Sequence, residues 1–177
     1  DDKVRRSILF DSRADLLTYG MGEYASREIA RRLKKKISVS EMTDIRGTAF
    51  IARGDFEREG AVLLPSFEEV TKDKRAYADA TRIEYAEHDA VRGRTLIQPH
   101  GNRKLVVNPP AHSLTTQELD DVAALPYTRE AHPMYDDVGG VPAIEEVRFS
   151  VIHNRGCFGA CNFCALAFHQ GRAVTSR

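Results

Sequence analysis

The chain has no excess charge of either sign: lysine plus arginine number 26 and aspartate plus glutamate 26. That balance offers no electrostatic case for nucleic acid or for an anionic membrane surface. No apolar run approaches the roughly 20 residues a spanning helix needs. The opening stretch Asp1-Asp2-Lys3-Val4-Arg5-Arg6 lacks the apolar segment of a signal peptide. The expectation is a cytoplasmic protein with no membrane partner. Cysteine is scarce as well: Cys157, Cys161 and Cys164 are the whole supply. A secreted disulfide scaffold would carry more, in even number and spread along the chain. Three thiols within eight positions suggest a metal site instead. Repeats and low-complexity segments are absent.

What is present suits a folded protein. With 42% hydrophobic residues over 177 positions, the chain can bury a core for one domain or two small ones. Residues 1–37 read as strand then helix. Ser7-Ile8-Leu9-Phe10 is one short apolar run and Asp15-Leu16-Leu17-Thr18-Tyr19 another. Gly20-Met21-Gly22-Glu23 breaks the pattern. Ala25, Ile29 and Leu33 then recur at i, i+4 and i+8 on one helix face, with the basic residues mostly elsewhere on a solvated face. Thr48 to Ala52 and Ala61 to Leu64 read as a first hairpin, with turn chemistry at Gly54-Asp55 and Glu59-Gly60.

Ser66 and Glu69 form a capping box, worth about 1 kcal/mol at such a helix start. The helix is expected to run to Arg92-Gly93, with Phe67, Val70, Tyr77, Thr81 and Tyr85 as a core stripe. Thr95 to Gln98 and Leu105 to Asn108 flank Pro99-His100-Gly101-Asn102 as a second hairpin, with His100 in a water-exposed turn. Thr115 and Glu118 make another capping box, and Leu119, Val122 and Ala123 its apolar face. Pro126 ends that helix. Residues 126–145, rich in proline and glycine, read as a linker or wrapping loop. Val147-Arg148-Phe149-Ser150-Val151-Ile152 has the β-propensity of a strand that runs into the cysteines. In a fragment, that strand is expected to do one of three things: pair with the second hairpin, its expected internal partner, pair with a second copy, or fray.

The cysteine segment reads Arg155-Gly156-Cys157-Phe158-Gly159-Ala160-Cys161-Asn162-Phe163-Cys164, a C-x3-C-x2-C spacing. Three soft thiolates suit an iron–sulfur cluster or zinc. Held by three ligands, a 4Fe–4S cluster keeps one iron open, and that iron can chelate the amino and carboxylate groups of a methionine moiety. Gly156 and Gly159 let the loop fold tightly around a bulky cluster, and Phe158 and Phe163 can shield it from water. Zinc would need a fourth ligand, for which His153 and His169 are near enough in sequence. A disulfide plus one free thiol is the bland alternative. A cysteine loop at the C-terminal end of a strand is also where a (β/α) barrel builds its active site.

From Val147 to Arg177 the chain resembles the first strand and cluster loop of radical SAM proteins, and its remainder resembles the YgiQ-type family of that superfamily. The strings that carry the family resemblance are Asp2-Lys3-Val4-Arg5-Arg6-Ser7-Ile8-Leu9, Asp15-Leu16-Leu17-Thr18-Tyr19-Gly20-Met21-Gly22-Glu23, Asp44-Ile45-Arg46-Gly47-Thr48-Ala49, Gln98-Pro99-His100-Gly101, Val107-Asn108-Pro109-Pro110, Leu125-Pro126-Tyr127-Thr128-Arg129 and Phe168-His169-Gln170-Gly171-Arg172. The resemblance implies an α/β chain in three parts. Residues 1–37 would end a Rossmann-like N-terminal domain. Residues 38–145 would be a family-specific α+β region with hairpins and a linker. Residues 146–177 would start a radical SAM (β/α) barrel. A full barrel takes about 250 residues, so the chain is expected to be a fragment lacking both ends and inactive alone.

The resemblance further implies that Cys157, Cys161 and Cys164 bind a 4Fe–4S cluster, with Phe163 beside the cofactor. S-adenosyl-L-methionine would sit on the open iron and be cleaved to a 5′-deoxyadenosyl radical. A reductant of flavodoxin or ferredoxin type would be the parent enzyme's partner. No catalytic residue and no substrate are named by this reading. Gly171-Arg172 and Ser176-Arg177 resemble the stretch after the cluster loop in RNA-modifying methylthiotransferases, but the three further cysteines of those enzymes are missing here. Gly20-Met21-Gly22-Glu23 resembles the end of a cobalamin-binding domain, yet no cobalamin-ligating histidine motif accompanies it. Two other classes stand beside the enzyme: a non-catalytic metal-binding module (Cys3His zinc or an Fe–S electron carrier) and an interaction domain with idle cysteines.

Overall fold

A computed structural model describes residues 3–159, 161 and 163–177. Asp2 of the first family string, and Ala160 and Asn162 of the cysteine segment, lie outside the described residues. The helices are α1 (Ile8–Ser12), α2 (Glu23–Lys34), α3 (Phe67–Lys72), α4 (Lys74–Glu87), α5 (Thr116–Ala123), α6 (Ala143–Val147) and α7 (Leu166–Gln170). The strands are β1 (Leu17–Thr18), β2 (Thr48–Arg53), β3 (Val62–Leu63), β4 (Leu96–His100), β5 (Arg103–Val107), β6 (Asn154–Arg155) and β7 (Thr175–Ser176). The result is a mixed α/β fold around a mixed sheet in the order β1-β2-β5-β4-β3, with β6 and β7 paired apart from it.

The hairpin over 96–107 forms as its pattern dictates. His100 pairs with Arg103 around Gly101, whose φ of +57° suits a residue without Cβ. β2 lies antiparallel to β5, placing Phe50 opposite Val106, which is itself opposite Ile97 on β4. These three and Ala52 form one core cluster, closed by Leu16, Phe56 and Ala61. A second cluster of Ala25, Met42 and Ile45 docks α2, with Ile29 and Ile37 packed on it. Asn108, 2% exposed, ties the elements together. Its Nδ2 donates to the Thr43 and Ile45 carbonyls and to Thr48 Oγ1, each at 3.0 Å. Its Oδ1 accepts from Arg58 and its backbone carbonyl from the Tyr19 hydroxyl.

Several expectations are corrected. Ser7 to Phe10 is not a strand: Ser7 caps α1 by accepting from the Leu9 amide, and a run this short cannot tell helix from strand by periodicity. β3 does not form a hairpin with β2. It runs parallel to β4, because α3 and α4 return the chain to the same sheet edge, the crossover that parallel pairing requires. The helix after Ser66 breaks at Asp73, whose backbone is extended and whose carboxylate caps α4 through the Arg75 amide at 2.9 Å. Its aromatic stripe is only half a core stripe: Val70 is buried, but Tyr77 and Tyr85 are exposed, as is Leu33 on α2. His100 is buried, not a water-exposed turn residue, because its ring stacks between Phe10 at 4.3 Å and Phe67 at 4.9 Å. Val147 ends α6, and 148–153 form no strand. The run does not join the hairpin, where β5 lies between β2 and β4 and β3 takes the outer edge of β4 at Leu96 and Ile97.

Candidate functional site

The cysteine segment leaves and re-enters the fold through a narrow neck. β6 and β7 pair antiparallel, Asn154 with Ser176 and Arg155 with Thr175. Just inside them the Gly156 amide donates to Gln170 Oε1 at 3.1 Å, and the Cys157 amide donates to the Gly171 carbonyl at 3.0 Å. Gly156 has φ +90°, and a Cβ on it would lie 2.0 Å from the Ala173 carbonyl oxygen. Only glycine fits there, so the close approach of the two chain ends is written into the residue type.

Beyond the neck stand the thiols. All three are free, Cys157 and Cys164 half-buried and Cys161 exposed. The Cys164 amide donates to the Cys161 carbonyl at 3.1 Å, which turns the loop toward α7. A Cβ on Gly159 would touch Cys157 Sγ at 3.3 Å and Cys161 Sγ at 3.8 Å. Gly159 therefore leaves space between two of the thiols that any other residue would fill. Phe158 and Phe163 are turned outward, 87% and 93% exposed.

Among the described residues no three Cys, His, Asp or Glu side chains converge as a metal-ligating group, so the three thiols do not form such a set, alone or with His153 or His169. In donor chemistry the residues fit a thiolate-bound cluster. Three unpaired soft ligands lie on one loop, with a glycine where bulk would intrude.

Behind the loop lies a cavity of about 190 Å³, lined by Tyr19, Met21, His88, Phe168 and Arg172 among others. Phe168 packs edge-on to Tyr85 at 5.7 Å and against His88 at 5.1 Å, and the Arg172 guanidinium sits 4.0 Å over the Tyr85 ring. Burial pushes the His88 imidazole below its ordinary pKa; the backbone of Phe168 opposes this and the Arg172 charge adds to it. Burial raises the Tyr19 hydroxyl well above the usual tyrosine value, keeping it a neutral donor to the Asn108 carbonyl, although the Arg46 charge works the other way. Glu23 at the start of α2 pairs with Arg155. Sequence reasoning had no hold on this pair; its one available signal was that both residues lie in the quoted glycine and cysteine strings.

A family model described as Radical SAM N-terminal matches residues 1–150. A UPF0313 protein of Clostridium botulinum (strain Okra / Type B1) is 49% identical over 177 residues, covering all of this chain and 28% of that protein. A UPF0313 protein of Clostridium perfringens (strain SM101 / Type A) is 51% identical over 178 residues, again covering all of this chain and 27% of that protein. The chain thus spans little more than a quarter of the length of the curated relatives it matches. No solved structure matches it.

Proposed function

The chain belongs to the radical SAM N-terminal family, and from that premise we propose that it is part of a radical SAM enzyme whose Cys157, Cys161 and Cys164 hold a 4Fe–4S cluster. The observation that carries the reading is the set of three free thiols on one loop, two of them flanking the space that Gly159 leaves open. A cluster held by these thiolates would supply the electron for reductive cleavage of S-adenosyl-L-methionine to methionine and a 5′-deoxyadenosyl radical. The residues of this chain bind and shield. The thiolates are the soft ligands, and the neck at Gly156 and Cys157 keeps the loop closed at its base. Phe163, facing outward, would cover the cofactor from the side of the remaining protein.

In the whole protein, residues 146–177 would open the (β/α) barrel and residues 1–37 would close a Rossmann-like domain. A flavodoxin- or ferredoxin-type reductant would deliver the electron in the cytoplasm. The test is anaerobic reconstitution of the full-length protein with iron and sulfide. About one 4Fe–4S cluster per chain is expected, and alanine at any of the three cysteines should remove most of it. A triple variant that keeps its full iron and sulfide would overturn the assignment. Stoichiometric zinc held by the same thiols would favour a non-catalytic metal-binding module.

A further inference from the structure

The turn Gly20-Met21-Gly22-Glu23 has no part in the chemistry above, yet it touches both ends of the cysteine segment. On the entry side Glu23 receives the Arg155 guanidinium across 132 positions of sequence. The pair is shielded, its side chains 28% and 18% exposed. Glu23 Oε2 is buried with no hydrogen-bond partner among the described residues, so the carboxylate depends on Arg155. On the exit side Gly20 sits at φ +68°, and a Cβ there would press on the His169 carbonyl oxygen at 3.3 Å. Arg155 is two residues before the first cysteine and His169 five after the last.

The turn is itself anchored. The Tyr19 amide donates to the Gly47 carbonyl at 2.9 Å, the Gly47 amide to the Pro109 carbonyl at 2.7 Å, and the Tyr19 hydroxyl to the Asn108 carbonyl. Entry and exit of the thiol-bearing loop thus rest on four consecutive residues fastened to the end of β2 and β5. Such pinning removes loop conformations before any cofactor arrives, which is how a rigid scaffold preorganises a ligand set.

We propose that the Gly20–Glu23 turn is the seat of the cysteine loop and that Glu23 and Arg155 are positioning residues that set where its thiolates stand. The seat follows from contacts within the chain; its consequence for a cluster rests on the proposed function. The experiment uses the full-length protein, metal-free and reconstituted, with Glu23→Gln and with the exchanged pair Glu23→Arg/Arg155→Glu.

In the metal-free protein, Glu23→Gln should speed amide hydrogen exchange about tenfold at 155–157 and 169–173, and the exchanged pair should restore most of the protection. In the reconstituted protein, Glu23→Gln frees a guanidinium two residues from Cys157, so the cluster's midpoint potential should rise while iron content holds. The exchanged pair should bring the potential back toward wild type. Unchanged exchange in Glu23→Gln overturns the seat. Faster exchange with unmoved potential and electron-paramagnetic-resonance spectrum overturns the positioning role. A wild-type protein that takes up no cluster overturns the function proposed above, and the exchange measurement still decides the seat. Should Glu23→Gln fail to fold, Gly20→Ala carries the same test from the exit side, with faster exchange expected at 169–171.

Discussion

His100 illustrates what a single residue's surroundings decide. Stacked between Phe10 and Phe67, with Nε2 3.1 Å from Gln98 Oε1, it is a ring in an aromatic sandwich. Burial lowers its pKa below the ordinary 6.5; Glu68 pulls the other way, and Arg103 and Arg6 add to the lowering. His88 is depressed from the same ordinary value of 6.5 by burial first. The sign follows from proton uptake. Below the unfolded value the unfolded chain binds a proton that the folded chain refuses, so stability is full above pH 6.5 and falls as pH drops below it. Melting temperatures between pH ~7.5 and ~5.5 should show that decline. His100→Phe keeps a ring in the stack and removes the titration, so its decline should be shallower. An equal decline in the variant would assign the effect to other groups, His88 among them.

At the scale of elements, local and long-range signals separate cleanly. Both capping boxes form as written, Ser66 with Glu69 and Thr115 with Glu118, because each is closed within one helical turn. Val147 to Ile152 is the opposite case. Its β-propensity is real, but propensity expresses packing against neighbours, and the run pairs with neither sheet. It ends α6 and then leaves Phe149, Val151 and Ile152 at 91%, 80% and 68% exposure. A run so apolar and so exposed needs a partner surface. If it becomes the first barrel strand of the whole protein, amides 149–153 should exchange quickly in the 177-residue chain and slowly in the full-length protein. Equally fast exchange in both would end the barrel-strand reading.

At the scale of the whole molecule, three of the family strings quoted from distant parts of the sequence turn out to be neighbours. Tyr19, Gly47 and Pro109 are linked through backbone hydrogen bonds, and Arg46 reaches the Pro110 and Ala90 carbonyls at 3.0 and 2.6 Å. The cysteine loop stands on this junction. Among the described residues no helix is long and apolar enough to cross a membrane. On the proposed reading, the reduced full-length protein should convert S-adenosyl-L-methionine to 5′-deoxyadenosine and methionine even without substrate. Cys161→Ser should abolish this, measured by chromatography of the products. A fully loaded, reduced cluster that leaves S-adenosyl-L-methionine intact would point to an electron carrier.

Neighbouring residues alone settle the capped helix starts, the hairpin over 96–107, the spacing of the three cysteines and the glycine between them, and the family. Each depends on groups a few positions apart, or on strings of residues compared as strings. That β3 pairs with β4 instead of β2, that His100 is buried, that Val147 to Ile152 joins no sheet, and that Glu23 meets Arg155 emerge with the folded chain. Those outcomes depend on which surfaces are brought together across tens of residues, and on which edges are already taken. Burial, sheet pairing and long-range ion pairs are properties of that arrangement, so periodicity and propensity have no access to them.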